Sequence, residues 1–339
     1  MGEREKMARV KFRRSDDKKL YVAILAAGQS KRMKSEKSKV LHKICGKPLL
    51  HFPIEVAKSL HPEEIFVVVG GRNEKEVRNT FKDYGVTFVT QEEPNGTGGA
   101  VMELEEFFED KEADIFIVPG DAPLLCQETA QELVRFHQDR GAIATVLTAE
   151  VPDPTGYGRI IRSIGDRILM IVEEADAFPE EKAIKEVNSG MYVFDTYSLF
   201  RWLSELRPNN KQEEFYLTDV IEILQRRLGG VYAYKIPDYT EILGVNTRKQ
   251  LAEANKIMND RLKVQHMERG VTFIDPNTVY IEVDVQIGED TTIFPFVSLL
   301  GKTVIEEKAE VGPNVTLKDV RVTSGKVVRG NNYFENMVI

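Results

Sequence analysis

One stretch near the start of the chain combines a small-residue turn with two positive charges. Residues 21–25, Tyr-Val-Ala-Ile-Leu, predict a buried strand, and the turn Ala26–Gly28 follows it. Small residues let the backbone turn tightly beside a ligand. Arg32 and Lys39 come next, and their cations can bind phosphate oxygens together with the backbone N–H groups of the turn. The stretch therefore predicts a polyphosphate site.

Two common phosphate-binding motifs do not match this stretch. A P-loop needs Gly-Lys-Ser/Thr at a fixed spacing, and none follows the turn. The dinucleotide fingerprint needs a second and a third glycine after Gly28, and these are missing as well. A plain turn without any ligand stays the alternative.

Asp121 follows a second buried strand, residues 114–118, in a Pro-Gly-Asp turn. A carboxylate in this position can hold a hard cation such as Mg²⁺, although an ordinary turn aspartate is the alternative. Strands alternate with helical stretches, which predicts an α/β domain with βαβ units, a mainly parallel sheet and helices on both faces. Ligands bind beyond the carboxyl ends of such strands, so Gly28 and Asp121 are expected at the same edge.

A third group of candidate residues lies between these two, at Gln91, Gly96 and Thr97. A glutamine amide offers a donor and an acceptor side by side, which suits the N3–H and O4 edge of uracil. Gly96 lets the backbone approach a base closely. A solvent-facing surface amide is the alternative for Gln91 alone.

The order of these motifs resembles a known family. The runs that carry the resemblance are Leu25-Ala26-Ala27-Gly28, Arg32-Met33-Lys34-Ser35, Lys39-Val40-Leu41-His42 and Gly46-Lys47-Pro48. Together they resemble the signature of sugar-phosphate nucleotidylyltransferases, and the Lys-Val-Leu-His-Lys run is similar to that of the bacterial GlmU-type N-acetylglucosamine-1-phosphate uridylyltransferases. The resemblance covers about Tyr21 to Leu317. It implies a Rossmann-like nucleotidyltransferase (GT-A-like) domain followed by a short left-handed parallel β-helix.

The resemblance also implies residue roles. Arg32 and Lys39 would be catalytic, and Asp121 and Asn246 would bind Mg²⁺, with helix capping as the alternative for Asn246. The implied substrate-binding residues are Leu25, Ala26, Ala27 and Gly28 for the phosphates, Gln91, Gly96 and Thr97 for uracil, Gly158, Glu173 and Asn188 for N-acetylglucosamine, Thr218 as a minor contact, and Asn246. A second glutamine of the family pattern is Pro94 here, which keeps the nucleotide preference open.

A six-residue repeat occupies the last part of the chain. Aliphatic residues stand six apart from Ile281 to Leu317, with small or β-branched residues two places before each of them. This period predicts a parallel β-helix, and about two coils are expected. The next hexad positions are Thr323, Arg329 and Glu335, so the ladder is predicted to stop at Leu317. So short a solenoid should need capping or self-association, and the family's trimers make a trimer the implied homo-oligomer.

The length of 339 residues suits about two domains. We expect a flexible extension at 1–19, a nucleotidyltransferase domain at 20–250, a connecting helix at 251–270, a β-helix at 271–320 and a tail of unknown structure at 321–339.

Composition excludes several classes of protein. A net charge of −8 argues against nucleic-acid binding, which needs a basic face. Two cysteines are too few for a disulfide framework or a thiolate metal site. No apolar run approaches membrane-spanning length and no signal-peptide pattern is present, so we expect no membrane partner and a cytoplasmic location.

The function expected from these features is transfer of a uridylyl group. UTP and N-acetylglucosamine 1-phosphate would give UDP-N-acetylglucosamine and pyrophosphate, with Mg²⁺ as cofactor. The family's acetyltransferase histidine motif does not occur after Leu317, so that second activity is expected to be absent. The alternatives are a nucleotidyltransferase for another sugar 1-phosphate or pyrimidine nucleotide, and a catalytically silent scaffold that binds sugar nucleotide.

Overall fold

The computed structural model describes residues 18–28, 31–71, 74–109, 111–208 and 210–339. Residues 1–17 of the predicted extension lie outside the described residues. The chain divides into two compact units. The first unit contains the described residues up to Val40 together with Leu50–Gly244, and the second contains Leu41–Leu49 and Val245–Ile339.

In the described residues up to 244, the elements are eleven strands, seven α-helices and four 3₁₀ helices. The strands are β1 (Lys19–Leu25), β2 (Lys43–Ile44), β3 (Lys47–Pro48), β4 (Glu64–Gly70), β5 (Thr87–Gln91), β6 (Ala113–Pro119), β7 (Ala144–Glu150), β8 (Arg159–Arg162), β9 (Ile168–Val172), β10 (Glu186–Asp195) and β11 (Val231–Ile236). The α-helices are α1 (His51–Ser59), α2 (Glu74–Phe81), α3 (Thr97–Met102), α4 (Gln127–Asp139), α5 (Pro179–Lys182), α6 (Thr196–Leu203) and α7 (Leu217–Arg227). The 3₁₀ helices are Lys31–Met33, Lys39–Leu41, Glu105–Phe108 and Tyr239–Ile242.

The first unit is built on one large sheet with the strand order β11-β7-β10-β6-β1-β4-β5, to which the β8–β9 hairpin is attached through β10. Its central strands are buried on both faces, since successive residues point to opposite faces and Val22 and Ala23 of β1 and Phe66 and Val67 of β4 are all fully buried. Strands covered on both faces need continuous apolar runs, which is why β1, β4 and β6 could be recognised as buried strands.

The sheet is mixed, and the prediction of a mainly parallel sheet is wrong on the side of β10. The pairs β1–β4, β1–β6, β4–β5 and β7–β11 are parallel. By contrast, β10 runs antiparallel to both β6 and β7. Parallel neighbours need a long crossover, usually a helix. Between β7 and β10 the chain forms the β8–β9 hairpin and the short α5 instead, and β10 returns in the opposite direction.

The second unit contains the β2–β3 hairpin, the long helix α8 (Arg248–Glu268) and a series of short strands. The hairpin falls within the stretch predicted as nucleotidyltransferase domain, but its hydrogen bonds connect it to the second unit. Cys45 N–H donates to Asn255 Oδ1 of α8 at 2.9 Å, and Val283 N–H donates to the Cys45 carbonyl at 3.0 Å.

The short strands form a parallel β-helix, consistent with the left-handed form. They are β12 (Thr272–Phe273), β13 (Tyr280–Ile281), β14 (Gln286–Ile287), β15 (Thr292–Ile293), β16 (Ser298–Leu300), β17 (Val304–Ile305), β18 (Glu310–Val311), β19 (Val315–Lys318), β20 (Arg321–Val322), β21 (Val327–Val328) and β22 (Asn332–Glu335). Every third strand pairs, which gives sheets of four, four and three strands. The hexad residues from Ile281 to Leu317 point inward and are at most 8% exposed, as the period predicts.

The ladder continues beyond Leu317, so the prediction that it stops there is wrong, and the β-helix has more than two coils. Leu317 pairs with Leu299 eighteen residues earlier, whereas Val322 pairs with Ile305 only seventeen residues earlier. One residue is missing from the turn, where Asp319 has a φ of 54° and its side chain accepts from Lys302 N–H at 2.8 Å. The inward positions therefore become Val322 and Val328, which a strict period of six cannot find.

Replacing Val322 with aspartate tests this register. Val322 is fully buried, so the variant is expected to lose about 3 kcal/mol or more of unfolding free energy in the second unit, because a carboxylate would enter an apolar ladder. Thr323→Asp is the matched control, because Thr323 is only partly buried and is the inward residue under a strict period of six. Urea unfolding of both variants decides between the registers. A larger loss for Thr323→Asp would contradict the structure.

No helix in the described ranges is long and apolar enough to cross a membrane.

Candidate active site

The predicted phosphate turn and Asp121 lie at the same edge of the sheet of the first unit. Leu25, the last residue of β1, pairs with Pro119, the last residue of β6. Gly120 N–H donates to the Leu25 carbonyl at 2.9 Å, and Ala26 N–H donates to the Val68 carbonyl at 2.7 Å. The first bond holds the turn that contains Asp121 against the end of β1, and the second holds the turn that begins at Ala26 against β4.

Lys39 and Asp121 form an ion pair at this edge. The two side chains are 16% and 13% exposed, so the pair is largely shielded from water. Attraction between charges is stronger in such surroundings than at an open surface. Arg32 lies in the 3₁₀ helix Lys31–Met33 of the same loop, and its side chain is exposed. The structure thus brings Lys39 to Asp121, while the catalytic role of Arg32 stays a prediction.

The donor set at Asp121 fits one hard divalent cation. Asp121 supplies a carboxylate, whose oxygens are the ligands that such ions prefer. One of these oxygens already binds the Lys39 ammonium, which is itself a cation. The described residues contain no group of three or more His, Cys, Asp or Glu side chains that could form a metal cage by themselves. A metal ion held by one carboxylate takes its other ligands from water and substrate phosphates, as Mg²⁺ commonly does.

Asn246, the second predicted metal ligand, belongs to the second unit. Its backbone N–H donates to Gln250 Oε1 at 2.9 Å. The neighbouring Thr247 caps helix α8 by accepting from Gln250 N–H at 3.2 Å, so the cap belongs to Thr247. The role of Asn246 toward metal and substrate stays a prediction.

Gln91 is the last residue of β5 and is 6% exposed. Its side-chain Nε2 donates to Asn95 Oδ1 at 3.0 Å and to the Gly96 carbonyl at 3.1 Å. Gly96 has a φ of 105°, and a Cβ added there would lie 2.5 Å from the Phe215 carbonyl oxygen. Only glycine fits this position, because both the φ angle and the close approach exclude a side chain.

The loop that contains Gln91 and Gly96 is fastened to the segment before helix α7. Phe215 N–H donates to the Asn95 carbonyl, and Gly98 N–H donates to the Phe215 carbonyl, both at 2.8 Å. Thr97 Oγ1 accepts from Leu217 N–H at 3.1 Å. The predicted uracil residues are therefore tied to the stretch that leads directly to Thr218.

The four residues predicted for the sugar come together in the first unit. Asn188 N–H donates to the Gly158 carbonyl at 2.8 Å. Thr218 Oγ1 donates to Glu173 Oε1 at 3.1 Å. A Cβ added to Gly158 would lie 3.4 Å from Glu173 Cδ, so the carboxyl group packs directly on that glycine. Four residues spread over sixty positions of sequence thus form one polar cluster, which we call the sugar cluster.

The sugar cluster lies close to the turn that contains Asp121. The strand β10 has a register shift between Asn188 and Tyr192, and Gly190 within it has a φ of 77°. A Cβ on Gly190 would lie 3.1 Å from Cγ of Pro119, two residues before Asp121. The irregular part of β10 therefore connects Asn188 to the edge where Lys39 and Asp121 meet.

Sequence reasoning missed Tyr192, which orients Asn188. Asn188 Nδ2 donates to the Tyr192 hydroxyl oxygen at 2.7 Å, and Gly190 N–H donates to Asn188 Oδ1 at 3.1 Å. Both ends of the amide are therefore fixed. Tyr192 stands four residues after Asn188 in one strand, so even spacing was the available signal, but it is weak without knowledge of the register.

Two carboxyl groups at the sugar cluster, those of Glu173 and Asp219, have raised pKa values. Burial raises the pKa of the Glu173 carboxyl, and the nearby carboxylates of Asp219 and Asp176 raise it further, while the hydrogen bond from Thr218 lowers it. Burial likewise raises the pKa of Asp219 to about 6, with added repulsion from Glu222 and Asp176. The positive charge of Arg159 lowers the pKa of Glu173 but does not outweigh burial, and the polar groups of the cluster suit recognition of hydroxyl and amide groups.

The raised pKa of Asp219 predicts a dependence of stability on pH. Its folded pKa of about 6 exceeds the unfolded value, so between about pH 4 and pH 6 the folded state binds more protons. The contribution of Asp219 to the unfolding free energy therefore falls as pH rises through this window. Asp219→Asn is expected to become more stable relative to the wild type at pH 7.5 than at pH 4.5, as measured by urea unfolding. The exposed Asp83→Asn is the control, and an equal change there would contradict this origin.

Comparison with known proteins identifies the type of domain to which these residues belong. A family profile for the MobA-like NTP transferase domain matches residues 22–212. A structure from Bacillus anthracis, assigned as a glucose-1-phosphate thymidylyltransferase, covers 71% of this chain and 96% of its own, with a TM-score of 0.59. Its sequence identity is 21%, so this likeness shows the fold alone.

Several relatives are much closer in sequence, each named the bifunctional protein GlmU. The protein from Geobacillus sp. is 44% identical over 311 residues, which cover 92% of this chain and 67% of the relative. The proteins from Lactobacillus johnsonii and Clostridium kluyveri are each 44% identical, over 92% and 93% of this chain and 66% and 68% of their own. The chain thus spans about two-thirds of their length, and the expectation that it carries only nucleotidyl transfer stays a prediction. The chain belongs to the GlmU family and contains its MobA-like NTP transferase domain, which makes it a nucleotidyltransferase.

Proposed function

We propose that the first unit joins UTP and N-acetylglucosamine 1-phosphate to form UDP-N-acetylglucosamine and pyrophosphate, with Mg²⁺ as the metal. Nucleotidyltransferases of the GlmU type use a nucleoside triphosphate and a sugar phosphate, and they generally need a divalent metal ion. The observation that carries the finer assignment is a juxtaposition within one unit. The Lys39–Asp121 pair lies beyond the ends of β1 and β6. Pro119, at the end of β6, lies next to Gly190 of β10, and β10 also carries Asn188 of the sugar cluster.

The reaction does not need a strong general base. A phosphate oxygen of the sugar substrate attacks the α-phosphorus of the nucleotide in line, while the bond from that phosphorus to pyrophosphate breaks. The attacking oxygen is already an anion, so no proton has to be removed and no covalent intermediate is required. The barrier comes from bringing anions together and from the charge that develops on the leaving pyrophosphate. Positioning and positive charge must therefore supply most of the acceleration.

The residues of this chain divide that task. Lys39, and Arg32 from the loop after β1, would neutralise phosphate oxygens, and the backbone of Ala26–Gly28 would bind the triphosphate. Asp121 would hold the metal ion, which when bound neutralises phosphate charge and thereby favours departure of pyrophosphate. Because Lys39 pairs with Asp121, the lysine is fixed in place before substrate arrives and loses less entropy on binding it.

Different groups would bind the base of the nucleotide and the sugar of the sugar phosphate. Gln91 and the backbone around Gly96 would contact the base, and Thr97 would hold that loop through Leu217 N–H. Glu173, Asn188 and Thr218 would contact the sugar hydroxyl and acetamido groups, with the Gly158 backbone at the same wall. Planar polar groups on a fixed frame are what a polar sugar requires.

A second candidate is the same chemistry with another pyrimidine nucleotide or another sugar 1-phosphate. The loop that contains Gln91 and Gly96 supports this second candidate. Pro94 stands there in place of a polar residue of the family pattern, and Gln91 Nε2 already donates to Asn95 and Gly96. If the amide stays bound to its own loop, only its carbonyl oxygen is left to select the base.

An assay of pyrophosphate release separates the two candidates. UTP and N-acetylglucosamine 1-phosphate with Mg²⁺ are tested beside CTP, dTTP and ATP, and beside the 1-phosphates of glucose and glucosamine. The proposed pair is expected to have a kcat/KM at least about tenfold higher than any other pair, equivalent to about 1.4 kcal/mol. A preference for another pair would establish the second candidate, and no turnover with any pair would reject both.

We also propose that the chain self-associates through the second unit, with a trimer as the expected form. Its coils leave large apolar side chains exposed, namely Ile274, Phe296, Val327, Tyr333 and Val338. Exposed apolar side chains on a solenoid are commonly covered by a partner. Light scattering of the purified chain decides this, and a monomer at micromolar concentration would reject it.

A further inference from the structure

Arg159 is the most deeply buried charged side chain beside the sugar cluster. It is the first residue of β8 and pairs with Val172, the last residue of the neighbouring strand β9. Its side chain is 2% exposed, and its Nη2 lies 2.6 Å from a carboxylate oxygen of Glu174. Burying a guanidinium is costly even when it is paired, so its presence calls for a reason other than stability alone.

The hydrogen bonds of Arg159 connect the chain segment that carries Gly158 with the segment that carries Glu173. Nη1 donates to the Tyr157 carbonyl, immediately before Gly158. Nη2 donates to Glu174, immediately after Glu173, and more distantly to the Lys182 carbonyl at 3.5 Å. Glu174 also accepts from Gly156 N–H at 3.3 Å. The guanidinium thus bridges the two strands just where their own ladder of hydrogen bonds has ended.

We infer that Arg159 is a positioning residue that holds Gly158 and Glu173 together as one wall of the sugar-phosphate site. This inference deepens the proposed function and rests on it for the identity of the ligand. A planar guanidinium reaches a carboxylate and a carbonyl in different directions at once, whereas a lysine ammonium on a flexible stem cannot hold both in the same geometry. In this role Arg159 acts through Tyr157 and Glu174, the neighbours that it binds.

The first test compares KM values. In Arg159→Lys, KM for the sugar 1-phosphate is expected to rise about tenfold while KM for the nucleotide changes less than about twofold, because only the sugar wall is displaced. Glu174→Gln, which leaves Arg159 in place and weakens its anchor, should show a smaller rise of the same kind. Arg162→Lys is the matched control, since Arg162 lies in the same hairpin as Arg159 and forms a comparable pair with Glu186 of β10. Equal KM changes for both substrates, or an equal rise in the control, would overturn the inference.

The second test does not depend on turnover. The backbone N–H of Asn188 donates to the Gly158 carbonyl, so the hydrogen exchange of this N–H reports whether the segment that contains Gly158 keeps its position. In Arg159→Lys this amide is expected to exchange at least about tenfold faster, while the amides of residues 192–194, paired with β6, keep their protection. Unchanged exchange at Asn188 would overturn the inference even in an active enzyme. If the wild type turns over none of the substrate pairs, the proposed function fails, and the exchange experiment still decides the role of Arg159.

Discussion

Replacing Lys39 with alanine is expected to lower kcat for nucleotidyl transfer by about 10²–10³-fold, the usual cost of losing one preorganised electrostatic group. The reason lies in the geometry at the sheet edge. Lys39 is only 16% exposed and paired with Asp121, so its charge is fixed and poorly screened by water. Removing it leaves the charge on the transferred phosphate and on the leaving pyrophosphate without that partner. Initial rates at saturating substrates, measured by pyrophosphate release, give the change in kcat.

The matched control for Lys39→Ala is Lys37→Ala. Lys37 lies two residues away and its side chain is exposed, so its removal changes the net charge equally but should alter kcat less than about twofold. Asp121→Asn should resemble Lys39→Ala. Because the two side chains form one pair, the double variant should be hardly slower than the worse single variant. Full activity of Lys39→Ala, or losses in the two single variants that simply add, would contradict a shared role.

Replacing Glu173 with glutamine is expected to lower kcat/KM for the sugar 1-phosphate by about 10–100-fold, which corresponds to loss of one hydrogen bond to a charged group. Glutamine keeps the shape and an acceptor for Thr218 Oγ1, so the fold of the cluster should persist. Burial already raises the pKa of the Glu173 carboxyl. A sugar hydroxyl that donates to it would lower that pKa again and be bound more tightly by the charged form than by an amide.

The readout for Glu173→Gln is the separate KM of each substrate, since KM for UTP should stay within about twofold. The control is Glu180→Gln in helix α5, whose side chain is exposed. Thermal unfolding of both variants shows whether the substitution has damaged the fold. An unchanged kcat/KM for the sugar substrate with a folded protein would remove Glu173 from the sugar site.

Local spacing alone identified the elements that matter most. A buried strand followed by small residues, a carboxylate after the strand that ends at Pro119, and a six-residue period are short-range signals. They follow directly from the continuous apolar runs of strands that are buried on both faces and from the coil length of a β-helix. The class of fold could therefore be predicted from spacing, while membership of the nucleotidyltransferases was implied by the resemblance of the motifs around Gly28 and Lys39, and the comparisons confirm both.

Register and turn length were beyond the reach of such spacing. The turn at Asp319 removes one residue and shifts the buried positions to Val322 and Val328. The antiparallel direction of β10 follows from the hairpin that precedes it rather than from the residues of β10. Each of these depends on how a segment pairs with a distant one, which a period read along one segment does not contain.

The sequence by itself determined which chemistry the chain can offer, because the types of side chain and their local order are set by the residues alone. The tertiary structure decided which of these groups meet. It pairs Lys39 with Asp121 across eighty-two positions, and it sets Thr218 against Glu173 and Arg159 against Glu174. Hydrogen bonds and ion pairs act over about 3 Å. Their partners are therefore fixed only when strand pairing brings distant segments to that separation.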